Sequence, residues 1–251
     1  MDKQARRITL HIKRQDDPQG QEWWETFVVD YRPRMTVISC LVEIRTHPFN
    51  AKNQKSTPVA WESGCLENQC GACSMLINGQ PQQACMARVD TLPQPIVLEP
   101  LSKFGVIRDL VVDRSPLFQQ SKAAKAWIPT DGIASIGPPP PVNPDEAELR
   151  AQLSSCQACG ICLEVCPQYN DRSPFIGPAL LNQLRQLNHH PIGKQSRTER
   201  LDLIMGEGGV ADCGNAQNCV KACPKEIPLI ESIAELNRET TWHTFFRWLS
   251  R

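Results

Sequence analysis

Twelve cysteines are the residues of this 251-residue chain with the most capacity for chemistry, and eleven of them fall in three short windows. The windows hold Cys65, Cys70, Cys73 and Cys85, then Cys156, Cys159, Cys162 and Cys166, then Cys213, Cys219 and Cys223. The chain opens Met-Asp-Lys-Gln-Ala-Arg-Arg and runs into a polar alternating stretch. That opening lacks the apolar core of a secretory signal, so the thiols are expected in a reducing cytosol. In such a compartment clustered cysteines point to metal binding or redox chemistry before disulfides.

The first window reads C-x4-C-x2-C, then eleven residues, then C. This is the plant-type ferredoxin order for a 2Fe–2S cluster, with three thiolates from one tight loop and the fourth from beyond a hairpin. Gly64 and Gly71 let the loop backbone curl so that its N–H groups face the sulfurs. The alternative is a structural zinc site. Zinc favours two short cysteine knuckles, and only one pair here has that spacing.

The second window, Cys156, Cys159, Cys162, Cys166, Pro167, is the bacterial ferredoxin run C-x2-C-x2-C-x3-C-P. In two-cluster proteins of that type the fourth cysteine serves the other cluster. The third window, Cys213, Cys219, Cys223, Pro224, repeats the offsets with one member missing, because Ala216 stands where a cysteine is due. Cys156, Cys159, Cys162 and Cys223 then make a 4Fe–4S site. Cys166, Cys213 and Cys219 make a site one thiolate short, which predicts a 3Fe–4S cluster. A 4Fe–4S cluster with one water-bound iron is the alternative there. Seven interleaved cysteines with C-P endings argue against zinc in these two windows. Cys40 is left over, on an apolar helix candidate, and is expected to be a buried inert thiol.

The elements that must hold these residues differ between the two parts of the chain. Before the Pro-rich segment 128–144, Ile8, Leu10 and Ile12 alternate with polar residues, as do Phe27, Val29 and Tyr31, which predicts two strands joined across 15–22. Thr36–Arg45 has helical spacing and stops at His47-Pro48. Ser74–Ile77 followed by Asn78-Gly79 predicts a hairpin, and Ile96–Leu98 a closing strand. The later part predicts helices at Leu117–Ile128, Asp145–Leu153 and Pro178–Asn188. Another should open on a Ser196-x-x-Glu199 capping box and stop at Gly206–Gly209, and one more should run from Pro228 to about Glu239. The expected fold is α+β with two domains: a plant-type ferredoxin β-grasp domain over residues 1–115 and an all-α, bacterial-ferredoxin-like domain over 116–251. The prolines at 138–141 are expected to make a stiff, extended linker or surface crossing.

Charge and composition narrow the function. The 27 Lys+Arg balance 27 Asp+Glu, so nothing suggests a nucleic-acid partner. At 41% hydrophobic residues the chain can bury a core, and no apolar run approaches a membrane span. There is no dinucleotide fingerprint, P-loop or nucleophile elbow. His11, His47, His189, His190 and His243 are scattered, which fits solvated or structural roles. The sequence therefore predicts an electron wire whose reacting ends belong to partners.

Taken together the motifs resemble the iron–sulfur subunit of succinate:quinone oxidoreductases, the succinate dehydrogenases and fumarate reductases, over nearly the whole chain. Gly64-Cys65, Cys70-Gly71-Ala72-Cys73, Ile77-Asn78-Gly79, Ala84-Cys85, Ser155-Cys156 to Cys166-Pro167 and Cys213 to Cys223-Pro224 carry the resemblance, and Ala216 matches the family's substitution. Ile176-Gly177-Pro178-Ala179 and Asp212-Cys213-Gly214-Asn215 are similar to the branch with a single dihaem cytochrome b anchor, whose quinone is usually menaquinone. The resemblance implies electrons from succinate, taken up at FAD on a flavoprotein subunit. They pass through the 2Fe–2S, 4Fe–4S and 3Fe–4S clusters and leave to quinone near the last, or to haem b, at a membrane-anchor subunit. It implies a peripheral position on the cytoplasmic face of the bacterial cell membrane. Ubiquinone-type relatives have His after the first cysteine of the third window and Trp shortly after the second window's C-P. Here Gly214 and Gln168-Tyr169-Asn170-Asp171 stand there, which implies another quinone geometry.

Trp242, Phe245, Phe246, Trp248 and Leu249 recur at roughly helical spacing, either packing on the domain or docking on the anchor. Competing functions are the same subunit run in reverse as a fumarate reductase, and a free-standing ferredoxin shuttle, which is usually small and strongly acidic. A reductase feeding a thiol partner would carry further cysteine-rich modules, which this chain lacks.

Overall fold

A computed structural model describes residues 6–128 and 143–249. The expected Pro-rich crossing lies outside the described residues except at its ends. In chain order the elements are β1 (Arg7–Arg14), β2 (Trp23–Asp30), α1 (Val37–Thr46), β3 (Ser74–Ile77), β4 (Gln80–Gln83), β5 (Ile96–Glu99), β6 (Val106–Arg108), β7 (Val111–Val112), α2 (Ser115–Ala123), α3 (Pro144–Ser154), α4 (Ile161–Glu164), α5 (Gly177–His189), α6 (Arg197–Ile204), α7 (Asn218–Ala222) and α8 (Leu229–Leu249). They fall into two compact units. One comprises residues 1–114 with 159–164, the other 115–158 with 165–251.

The first unit is a five-stranded mixed sheet in the order β2-β1-β5-β3-β4. Alternation sets the register, with Ile8 opposite Val29 and Leu10 opposite Phe27 in the antiparallel β1–β2 pair. β1 also pairs in parallel with β5, Leu10 against Ile96. Ile8, Leu10, Ile12, Phe27 and Val29 face one core, which α1 closes with Val37, Cys40, Leu41 and Ile44. Thr36 caps α1 reciprocally with Ser39, satisfying two amides that the first turn leaves open. Asn78 and Gly79 take φ of 50° and 74°, the left-handed pair that a tight hairpin requires. Asn78 then accepts from Val97 N at 2.7 Å and so fastens this turn to β5.

The β6–β7 hairpin was not legible in the sequence. It turns on Asp109, at φ 46°, whose fully buried carboxylate accepts from Arg14 Nε at 2.9 Å, Gln15 N at 3.1 Å and Ala60 N at 2.7 Å. Arg14 is itself fully buried and also bonds Glu25, Ser56 and Thr57. A buried charge pair persists only with such complete partners. Residues 159–164 join this unit because Glu164 accepts from Ser102 Oγ at 2.6 Å and Lys103 N at 3.1 Å. Gly160, at φ +86°, lies against the Phe104 ring, where a Cβ would come within 2.9 Å.

The second unit is helical, around Phe175, Leu180, Leu181, Leu184, Leu201, Ile204 and Leu236. Three expectations need correction. The first helix of this unit ends at Ala123, not Ile128, because Lys125 takes φ 49° and turns the chain out. Ser196 makes no capping bond, since it closes a 3-10 turn over Gly193–Ser196 that runs directly into α6, and Glu199 pairs with Lys125 instead. The last helix continues to Leu249. His243 and Arg247 tie its end to Asp202 of α6, while Trp242, Phe245, Phe246, Trp248 and Leu249 are each at least 47% exposed, the four aromatic rings lying against one another.

An ion cluster fastens α8 to α5. Glu235 lies 2.6 Å from both Arg185 and His189, and Arg185 also bonds Ser232. The His189 bond and the Arg185 charge hold the Glu235 carboxyl down to about 2, against 4.5 for a free one. This stabilisation is complete above pH 4.5 and fades as pH falls towards 2. Glu235→Gln is expected to cost about 2–3 kcal/mol at neutral pH. Urea titrations followed by circular dichroism should show the gap to wild type closing between pH 4.5 and 2.

Candidate iron–sulfur centres

The first cysteine loop is shaped by three left-handed residues, Leu66, Asn68 and Gly71, at φ 60°, 55° and 69°. Two of these are not glycine, and such backbone is held only where the surroundings demand it. Its effect is to turn amides inward. Glu67, Gln69 and Cys70 each donate N–H to Cys65 Sγ at 3.3, 3.1 and 3.3 Å, and Cys65 N donates to Cys70 Sγ at 3.4 Å. These amides, led by those of Glu67 and Gln69, pull the Cys65 thiol down to about 7. Cys73 and Cys85 lie on the buried side. Burial pushes Cys73 up to about 11, while Cys85 shares hydrogen bonds with it and Cys70 lies near enough to add to the rise. The four sequence-predicted ligands are therefore neighbours.

Two further residues complete this loop. A Cβ at Gly64 would lie 3.1 Å from Cys70 Sγ, so the glycine leaves room for that sulfur. Arg114 donates to Ala72 O at 3.0 Å and reaches Glu62 at 3.4 Å, tying the loop to the end of the first unit. No sequence signal marks Arg114, which follows Asp113 after a short hydrophobic run.

In the second unit Cys166, Cys213 and Cys219 line one cavity of about 310 Å³, and Ala216 lines it with them. Burial raises the Cys219 thiol, and the nearby Cys166 and Cys213 add to the effect. The loop between Cys213 and α7 passes through left-handed Asn215 and Gln217, at φ 52° and 62°. Asn218 donates to Val165 O at 3.1 Å, holding the start of α7 beside the second window. Cys156 is raised by burial, with Cys223 close enough to contribute. Cys159 and Cys162 belong to the first unit, where Cys162 is buried in α4. Burial raises Cys40 to about 12, as an inert thiol requires.

This donor chemistry fits iron–sulfur clusters. Ligating sulfurs must be thiolates, so the buried thiols release their protons as metal binds. Among the described residues no three His, Cys, Asp or Glu side chains converge as ligands of a single ion. Thiolates around a cluster stand further apart, because several irons and sulfides fill the middle.

Comparison with known proteins matches family models to both cysteine-bearing parts of the chain. A family model described as "2Fe-2S iron-sulfur cluster binding domain" matches residues 9–119, and one described as "4Fe-4S dicluster domain" matches 152–227. The chain is 51% identical to the succinate dehydrogenase iron-sulfur subunit of Bacillus subtilis, over 95% of this chain and 94% of that one. It is 28% identical to the fumarate reductase iron-sulfur subunit of Wolinella succinogenes, over 94% and 98% respectively. Its fold matches a chain of the Mycobacterium smegmatis Sdh1 complex in the apo form, with TM-score 0.79 and 22% identity over 96% of this chain and 98% of that one.

Fold and sites define an iron–sulfur electron carrier with a 2Fe–2S part and a 4Fe–4S dicluster part. The chain belongs to the iron–sulfur subunits of succinate dehydrogenase and acts as the electron-transfer component of that complex.

Gly64→Ala should disturb the first centre selectively, since the added carbon presses on Cys70 Sγ. Reduced-state electron paramagnetic resonance should show a weakened or broadened 2Fe–2S signal, with the signals from the later windows unchanged.

Proposed function

We infer that Cys65, Cys70, Cys73 and Cys85 hold the 2Fe–2S cluster, Cys156, Cys159, Cys162 and Cys223 a 4Fe–4S cluster, and Cys166, Cys213 and Cys219 a 3Fe–4S cluster. When bound, these clusters supply one-electron steps between a two-electron donor and a quinone. The observation that carries the reading is the cavity in which three cysteines and Ala216 share the walls. A methyl group offers no ligand, so one corner of a cuboidal cluster has no thiolate to hold its iron.

The chain's own part is to bind and space the centres. Domains over 1–115 and 116–251 divide the work, and the sheet order β2-β1-β5-β3-β4 across α1 supports a β-grasp for the first. Buried walls around Cys73, Cys162 and Cys219 keep water from the sulfurs. The donor side is an FAD-containing flavoprotein subunit. The acceptor side is a cytochrome b anchor with haem b and quinone, menaquinone by the branch resemblance. The subunit works on the cytoplasmic face of the bacterial membrane as a peripheral component. Among the described residues no helix is long and apolar enough to cross a membrane. Succinate oxidation is the direction proposed, in line with the high identity to a succinate dehydrogenase subunit.

The exposed face of α8, with Trp242, Phe245, Phe246 and Leu249 at i, i+3, i+4 and i+7, serves docking to the anchor. The stretch 241–251 carries Arg247 and Arg251 and no acidic residue, which suits a membrane boundary. Deleting 241–251 should release the subunit from the membrane fraction. Unchanged retention would remove this role.

Ala216→Cys tests the three-thiolate site. The oxidised wild-type complex should give the near-isotropic paramagnetic signal of a 3Fe centre. The variant should lose that signal and gain one iron per chain, as a fourth thiolate completes the cube. A wild-type complex silent in the oxidised state, when fresh and intact, would defeat the assignment.

A further inference from the structure

Two residues beside the three-cysteine cavity have a relationship that ligation leaves unexplained. Gln168 follows the Cys166-Pro167 pair, and Gly214 follows Cys213. Both line the cavity. A Cβ at Gly214 would lie 2.5 Å from Gln168 Nε2. The backbone at Gly214 is outside the left-handed region, so no turn geometry calls for glycine there. What its missing side chain provides is space, and the Gln168 carboxamide occupies it.

That carboxamide is half-buried and makes no hydrogen bond to any other described residue. A primary amide carries two N–H donors, and those of Gln168, seated over Gly214 in the cavity wall, are free to meet an acceptor there. The acceptors the cavity would offer are sulfurs, from Cys166, Cys213 and Cys219 and from the cluster they would hold. The residues lining it include no Lys, Arg, Asp or Glu, so the dipole of a neutral carboxamide there is not swamped by a fixed charge. Hydrogen bonds to cluster sulfurs are among the main determinants of reduction potential. The added electron raises negative charge on the sulfurs, a donor interacts more strongly with the reduced state, and the potential rises.

We propose that Gln168, given its room by Gly214, sets the potential of the three-thiolate centre by donating a carboxamide hydrogen bond to its sulfur. The proposal rests on the three-thiolate reading above. It makes Gln168 a tuning residue for the last step of transfer within the chain.

The test is a redox titration of the intact complex, following the oxidised 3Fe signal by electron paramagnetic resonance. Gln168→Leu removes the donor at similar volume. Gly214→Ala keeps Gln168 and pushes its carboxamide out of place. Each should move the midpoint to more negative potential, and the double variant should move it no further than the larger single shift, since both remove one bond. The 2Fe–2S midpoint in the same samples should stay where it is. Should Gln168→Leu fail to assemble the centre, Gly214→Ala reads the same shift with the glutamine still in the chain. A full-strength 3Fe signal titrating at the wild-type potential in either variant overturns the proposal. Absence of that signal from the wild-type complex overturns the three-thiolate reading itself, which is a separate outcome.

Discussion

A buried thiol keeps its proton, and an iron–sulfur ligand must lose it. The structure around the cysteines can be understood from that conflict. Cys73, Cys156 and Cys219 lie where desolvation favours the neutral thiol. Burial protects a cluster from water, so the tension cannot be removed by exposing the sulfurs. At the first loop the chain meets it with backbone. Left-handed Leu66 and Asn68 bend three amides onto Cys65, and that thiol is drawn down to about 7. Elsewhere the charge of bound iron must supply the compensation. Glycine and arginine then serve this geometry: Gly64 leaves room for a sulfur, and Arg114 fastens the loop from outside.

How much of this was legible in the sequence follows from what each feature depends on. Cysteine spacing is dictated by inorganic geometry and varies little with context, so the three windows and the Ala216 gap could be read directly. The alternation at Ile8, Leu10 and Ile12 and the Asn78-Gly79 turn depend on local stereochemistry, and both hold. The Ser196 capping box did not hold, because capping depends on what precedes the helix, and a 3-10 turn already fills that place. The β6–β7 hairpin was invisible because it rests on Asp109 meeting Arg14 and Ala60, residues far apart in the chain. The length of α8 past Glu239 is not legible in the sequence, because its aromatic residues bury little of themselves and the contacts that hold it, His243 and Arg247 on Asp202 of α6, join residues about forty positions apart.

The two units answer different mechanical needs. In the first, one loop with strained backbone is held by a sheet whose register is fixed on both sides of β1. In the second, short helices and left-handed turns bring Cys166, Cys213 and Cys219 to one cavity, and the ion cluster of Glu235 with Arg185 and His189 keeps α8 against α5 behind it. Strained loops carry the chemistry, and regular elements absorb the cost of holding them.

The parallel pairing of Leu10 with Ile96 also has a consequence during synthesis. β1 leaves the ribosome just ahead of β2 and can form its hairpin with it at once. Its other edge must wait until the chain has been made through Ile96, and Arg14 waits longer still for Asp109. Such long-range closure makes folding slow and leaves an open strand edge on the nascent chain. The interval in which this polypeptide is most open to wrong strand pairing is therefore written into its topology.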